Sequence, residues 1–164
     1  MSVYYVNGNL LEANLDYYCH QVNCQGRMGS GIAKAIREKW PIVYEKYGEW
    51  HFVNDFQAFS DNLPEGASAY MLGKNLTVPV SEKQTVINMA AQATYGYDGK
   101  RYTSYDAFWL CLGDIKRTVP KGSRIGFPDH IGCGLGGANW EVIKTMICEV
   151  LGKDFEIYIY KLEA

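Results

Sequence analysis

Short apolar runs and longer stretches of helical spacing take turns along this chain, and glycine or proline stands at most of the changes. Residues 3–6 (Val-Tyr-Tyr-Val) are β-branched and aromatic and are closed by Asn7-Gly8-Asn9, which predicts a strand ending in a turn. Residues 15–22 predict a second strand, and the chain then enters Asn23-Cys24-Gln25-Gly26-Arg27-Met28-Gly29-Ser30-Gly31. Residues 32–39 have helical spacing and stop near Trp40-Pro41, because proline pushes the residue before it out of the helical region. Residues 41–59, aromatic and charged, predict more helix. Residues 67–72 and 76–80 read as neighbouring strands around Gly73-Lys74-Asn75. Residues 85–91 are apolar and predict a buried strand. A helix over 106–119, a short strand at 124–128, a second glycine cluster, a helix over 139–151 and a strand at 155–162 complete the pattern. Val142, Ile143, Met146, Ile147 and Val150 form the apolar stripe of the 139–151 helix.

Strands alternating with helices predict an α/β domain, a three-layer α/β/α sandwich with a mixed central sheet. At 164 residues the chain suits one domain, residues 1–164, with a core of its own. Hydrophobic residues at 48% and charged residues at 21% are a globular mixture. No run approaches the roughly 20 apolar residues that span a bilayer, and the first residues lack the basic start and apolar run of a signal peptide. The expectation is a cytoplasmic, monomeric protein with no membrane contact. The net charge of −2 argues against a nucleic-acid partner, which favours a basic patch. Five cysteines with no CxxC spacing predict free thiols rather than a zinc site or a disulfide framework. No metal and no cofactor are expected.

A small anion remains compatible with this charge, because backbone N–H groups at a helix start hold phosphates well. Gly26, Gly29 and Gly31 stand just before the 32–39 helix, and Gly132-Cys133-Gly134-Leu135-Gly136-Gly137 stands just before the 139–151 helix. In open α/β sheets, ligands sit where strands lead into helices. Two such turns facing one groove can hold a diphosphate from two sides. Neither carries the GxGxxG fingerprint with an acidic residue about 20 positions on, so a dinucleotide fold is a poor fit.

The order of motifs is more specific than either turn alone. Val6-x-Gly8-Asn9-Leu10, then His20-Gln21-Val22-Asn23-Cys24-Gln25-Gly26-x-x-Gly29-Ser30-Gly31-Ile32-Ala33, then Pro128-x-x-Ile131-Gly132-Cys133-Gly134-Leu135 resembles the macrodomain family. The similarity runs from the first strand to Tyr160 and is greatest to the branch of ADP-ribose 1''-phosphate phosphatases. The resemblance implies ADP-ribose, or its 1''-phosphate, as the ligand. It implies that Gly8, Asn9 and Leu10 meet the adenine, with Asn9 where many relatives carry Asp, and that Tyr160 packs beside the base. Asn23 would contact the distal ribose. Gly29, Ser30, Gly31, Ile32 and Ala33 would wrap the distal ribose and phosphates, and Gly132, Cys133, Gly134, Leu135 and Gly136 would complete the cradle. Many relatives have an aromatic ring near Gly136, so glycine there predicts a more open ribose site with room for a further phosphate.

The resemblance also implies a reaction, release of phosphate from ADP-ribose 1''-phosphate. His20 is implied as an acid–base group, its ordinary pKa near 6.5 suiting either role. Asp98, in Tyr95-Gly96-Tyr97-Asp98-Gly99-Lys100-Arg101, is the candidate second group, with Asn23 orienting the ribose and Lys100 and Arg101 as phosphate partners. A solvated turn is the competing reading of that loop. Asp129 and His130 can face the ligand or cap their turn. A covalent route used by some relatives needs a lysine after the buried strand and an aspartate in the second turn, and this chain has neither. A module that binds without turnover and a hydrolase acting on ADP-ribosylated macromolecules are the alternatives.

Overall fold

The computed structural model describes residues 2–58 and 70–162. In chain order these form β1 (Val3–Asn7), β2 (Tyr17–Asn23), α1 (Gly31–Lys39), α2 (Pro41–Ala58), β3 (Asn75–Pro79), β4 (Thr85–Gln92), α3 (Tyr105–Thr118), β5 (Arg124–Pro128), α4 (Trp140–Leu151) and β6 (Glu156–Lys161). The strands make one sheet in the order β1-β6-β5-β2-β4-β3. All neighbours are parallel except β3 and β4, so the sheet is mixed.

The apolar run at 85–91 becomes β4, and Val86, Ile87, Asn88, Met89, Ala90 and Ala91 are all buried. A strand covered on both faces has no solvent side, so its sequence loses the alternation of a half-exposed strand. One core lies between the sheet and α3 and α4 and includes Phe108, Leu112, Ile143 and Ile147. The other lies beneath α1 and α2 and includes Met28, Ile36, Val43 and Tyr47. These two cores make the three layers that the alternation predicts. Complete burial of a side chain such as Phe108 or Leu112 stabilises the fold by about 1.5–3 kcal/mol.

Helix ends follow local chemistry. Ser104 Oγ accepts from the Ala107 amide at α3, and Asn139 Oδ1 accepts from the Glu141 and Val142 amides at α4. Pro41 opens α2, where its missing N–H costs nothing, and α1 ends just before it.

One predicted strand is corrected. Within the 67–72 run, residues 70–73 form a turn that feeds β3, and β3 pairs with β4 rather than in a hairpin with that run. Met71 is apolar because it plugs the core beneath α2, where it is fully buried. Phe59 and residues 67–69 lie outside the described residues.

Candidate functional site

β2 pairs with β5 only through Tyr17↔Ile125 and Tyr18↔Gly126. Beyond these residues the strands part, and a crevice opens between their carboxyl ends. This is the place where the chain reverses its direction across the sheet, since β2 is followed outward by β4 and β5 by β6. Both glycine turns flank this crevice. They enclose a cleft of about 520 Å³ whose wall also includes Gln92 at the end of β4 and Tyr95 and Tyr97 from the turn after it.

The first turn is braced from inside. Asn23 Oδ1 accepts from the amides of Gln25 (3.0 Å) and Arg27 (3.3 Å), and Asn23 Nδ2 donates to the Arg27 carbonyl oxygen (2.9 Å). Tyr47 on α2 donates its hydroxyl to the Asn23 carbonyl oxygen (2.6 Å) and side-chain oxygen (2.8 Å). Gly26 has φ +74 and lies under the His51 ring, so a side chain there has neither conformation nor room. Met28 then buries itself as a plug. Ser30 precedes α1 but makes no side-chain cap. The first N–H groups of α1 have no carbonyl one turn back, so they face the cleft together with the positive end of the helix dipole. Tyr47→Phe removes the brace, and it should cost about 1–2 kcal/mol of stability, read by denaturant unfolding.

The second turn is tied down through carbonyls and leaves amides open. The Gly132 carbonyl accepts from the Ala138 amide (3.0 Å) and Thr103 Oγ1 (2.8 Å), and the Gly136 carbonyl accepts from the Tyr102 (2.8 Å) and Thr103 (3.0 Å) amides. The amides of Gly134, Leu135 and Gly136 donate to nothing among the described residues. Successive free amides of this kind make an anion-binding concavity. Gln21 links the parts, donating from Nε2 to Gln92 Oε1 (2.7 Å) and to Thr103 Oγ1 (2.8 Å). β2, β4 and the second turn therefore share one hydrogen-bonded floor.

No protein-family model matches the chain. An Aspergillus oryzae protein named ADP-ribose 1''-phosphate phosphatase is 25% identical over 170 residues, covering 84% of this chain and 83% of that protein. The macrodomain of Mycobacterium tuberculosis DarG superposes with a TM-score of 0.75 at 20% identity, over 96% of each chain. This chain has the macrodomain fold. A third relative of the fold, Thermosipho africanus DarTG in complex with ADP-ribose, superposes with a TM-score of 0.73 at 18% identity, covering 98% of this chain and 41% of that one.

Within this macrodomain fold the predicted residues divide into two groups. Asn23, Gly29, Ser30, Gly31, Ile32, Ala33, Gly132, Gly134, Leu135 and Gly136 line the cleft. Gly8, Asn9, Leu10, Cys133 and Tyr160 do not. Asn9 Oδ1 accepts from the Leu11 amide at 2.9 Å, capping a short 3-10 turn (Leu10–Glu12), and Leu10 is buried. Gly8 lies against the Tyr160 ring, at the carboxyl ends of β1 and β6 and beside the cleft. Cys133 Sγ donates to the Ile131 carbonyl oxygen, and burial raises its thiol pKa to about 11. Burial likewise raises Cys24 to about 12, so neither is a thiolate nucleophile at neutral pH. All five cysteines are free thiols.

Four expectations differ from the structure. His20 is fully buried and shares a face of β2 with Tyr18 and Val22, in the core beneath α1 and α2. Its Nε2 meets Asn88 Oδ1 at 2.5 Å, and Asn88 Nδ2 is spent on the Leu76 carbonyl oxygen. That orientation makes Nε2 the protonated nitrogen and leaves Nδ1 buried without a partner. Burial lowers the His20 pKa to about 4. It is a buried core residue outside the cleft wall, where the acid–base expectation requires a residue facing the ligand. Asp98 also stands outside the wall; it accepts from the Tyr102 hydroxyl (2.8 Å) and the Lys100 amide (3.2 Å). The Tyr102 bond, first, lowers its pKa. Lys100 pairs with Asp98 and Arg101 stacks over Tyr105, and neither lines the cleft. Gly136, finally, does not open space. It is buried, and an added Cβ would collide with the Gly132 carbonyl oxygen and Thr103 Oγ1.

Gln21, Gln92, Arg37 and Tyr44 also line the cleft and were not anticipated. Arg37 sits one helical turn after Ala33, on the same face of α1, and its guanidinium stacks 3.8 Å over the Tyr44 ring. Helical spacing from Ala33 is the sequence signal that locates it. Among the described residues there is no cluster of three metal-ligating side chains and no helix long and apolar enough to cross a membrane.

Proposed function

We propose that this chain binds ADP-ribose across the cleft and hydrolyses ADP-ribose 1''-phosphate to ADP-ribose and inorganic phosphate. The observation that carries the binding reading is the pair of glycine turns, one after β2 and one after β5, whose free amides converge on a single crevice. A diphosphate lies over these amides. The adenosine extends toward β5 and β6, beside Tyr160, and the distal ribose toward β4, beneath Tyr95 and Tyr97. Asn23 Nδ2 has a second hydrogen beyond the one given to Arg27, and it is positioned to meet a ribose hydroxyl. Support for the ligand comes from the Thermosipho africanus complex with ADP-ribose. Support for turnover comes from the name of the Aspergillus oryzae relative.

Binding without turnover is the second reading, favoured by the burial of His20 and the position of Asp98 outside the cleft. One assay separates the two. Purified protein is mixed with ADP-ribose 1''-phosphate, released phosphate is measured, and ADP-ribose binding is followed by calorimetry. Catalytic release of phosphate supports the hydrolase. Binding with no release reduces the function to a module, and absence of binding sinks both.

A further inference from the structure

β1 is one edge of the sheet and pairs with β6 alone, in parallel. The Ile157 amide donates to the Ser2 carbonyl oxygen (2.9 Å), and the Gly8 amide donates to the Lys161 carbonyl oxygen (2.9 Å). In a parallel pair this register turns the amides and carbonyls of Tyr4 and Val6 toward β6, and those of Val3, Tyr5 and Asn7 outward. The outward groups have no partner among the described residues.

Edge strands are usually guarded against a further strand by a charge, a proline or a bulge. The opposite edge, β3, ends on Pro79. β1 reads Val-Tyr-Tyr-Val-Asn, with no charge, no proline and no break in its register with β6. Tyr4 is 44% exposed and Tyr5 is 61% exposed, so the unguarded edge also carries two large rings.

The strand that fits this edge is a second copy of itself. An antiparallel partner centred on Tyr5 sets Tyr5 opposite Tyr5, Val3 opposite Asn7 and Tyr4 opposite Val6. Every outward amide of one copy then meets an outward carbonyl of the other. The side chains agree with this register. Val3 packs against the core beneath α3 and α4, and Tyr5 shares its face of the strand. Tyr5 is close enough to Lys144 and Glu141 of α4 for their charges to act on its hydroxyl. The two-fold axis runs the two α4 helices antiparallel beside the Tyr5 pair. Each Glu141–Lys144 ion pair (3.2 Å) therefore meets its copy with unlike charges opposed. On the other face Tyr4 stacks on Tyr158, with centroids 5.1 Å apart. There Tyr4 would meet Val6 of the second copy, an aromatic and β-branched pair of the kind that stabilises sheets.

We infer that two copies of this chain join β1 to β1 about a two-fold axis at Tyr5, so that their sheets become one. The interface is isologous, each copy giving the same patch. This dimer takes the place of the monomer expected from the sequence. No residue of β1 lines the cleft, so each copy keeps a cleft of its own.

The test is sedimentation equilibrium of the full chain over a wide concentration range. Wild type should pass from one chain mass to two as the concentration rises. Tyr5→Lys places like charges on the axis and should weaken the dimer by about 100-fold or more. Its urea unfolding should stay cooperative, because Tyr5 gives no backbone hydrogen bond to β6. A second variant tests the register without a new charge. In a Cys148→Ser background, Tyr5→Cys should form a disulfide with its own copy under mild oxidation, since residues facing each other in such a pair have Cα atoms about 5.5 Å apart. Asn7→Cys in the same background should not, because position 7 faces position 3. A wild-type chain of one mass at every concentration overturns the inference. So does a dimer that survives Tyr5→Lys, or one that cross-links through Asn7→Cys and not through Tyr5→Cys.

Discussion

Gly136→Ala will cost this protein most of its affinity for ADP-ribose while leaving it folded. The new methyl carbon would meet the Gly132 carbonyl oxygen and Thr103 Oγ1 inside contact distance. One of these is backbone, and the other is held by Gln21 and by that same carbonyl. Neither can swing away, so the turn itself must move, and its free amides at Gly134, Leu135 and Gly136 move with it. Loss of two amide–phosphate bonds at about 1.5 kcal/mol or more each is roughly a 100-fold fall in affinity. Stability should fall by only about 1–3 kcal/mol, since the turn lies over the sheet rather than within it. Calorimetry with ADP-ribose, alongside denaturant unfolding, reads both quantities. Affinity equal to wild type would mean that the second turn does not hold the phosphates. Gly48→Ala is the matched control for bulk, because a Cβ there meets nothing within 4 Å and Gly48 is not part of the cleft wall.

The second large effect concerns His20 and pH. In the unfolded chain its imidazole titrates near 6.5, and in the folded chain burial holds it near 4. Between those values the unfolded chain binds more protons, so lowering the pH favours unfolding. The contribution is complete above pH 6.5 and is lost as the pH falls toward about 4. At about 1.4 kcal/mol per pH unit it amounts to roughly 3 kcal/mol. The stability of wild type relative to His20→Gln, read from urea unfolding, should therefore fall by roughly 3 kcal/mol as the pH is lowered from about 7 to about 4. A constant gap would show that His20 does not titrate with folding. A fall in phosphate release through an apparent pKa near 6.5 that vanishes in His20→Gln would restore His20 as an acid–base group.

Much of this architecture is readable from residue order because it rests on local signals. Glycine clusters at strand-to-helix turns, Asn139 ahead of α4 and Pro41 at the start of α2 act within a few residues. The uninterrupted apolar run of β4 announces its own burial. Local pattern fails where distant partners decide. The apolar run around Met71 resembles a strand, yet Met71 plugs a core that the local pattern cannot reveal. Nothing in β2 alone tells that it leaves β5 after Tyr18, although that parting creates the cleft. Gly136 in isolation suggests empty space, and only the fold shows the backbone packed against it. His20 is different, because its alternation with Tyr18 and Val22 already places it on a core-facing side. The family resemblance points the other way. Arg37 and Tyr44 required knowing how α1 lies against α2.

The central claim is that ADP-ribose lies between the two glycine turns. An amide proton–nitrogen correlation spectrum recorded during titration with ADP-ribose tests it residue by residue. Saturable shifts should concentrate at Gly29, Ser30, Gly31, Ile32 and Ala33 in the first turn, and at Gly134, Leu135 and Gly136 in the second. No shifts at all, or shifts gathered at the opposite end of the sheet around Asp16, Thr85 and Ser123, would contradict it.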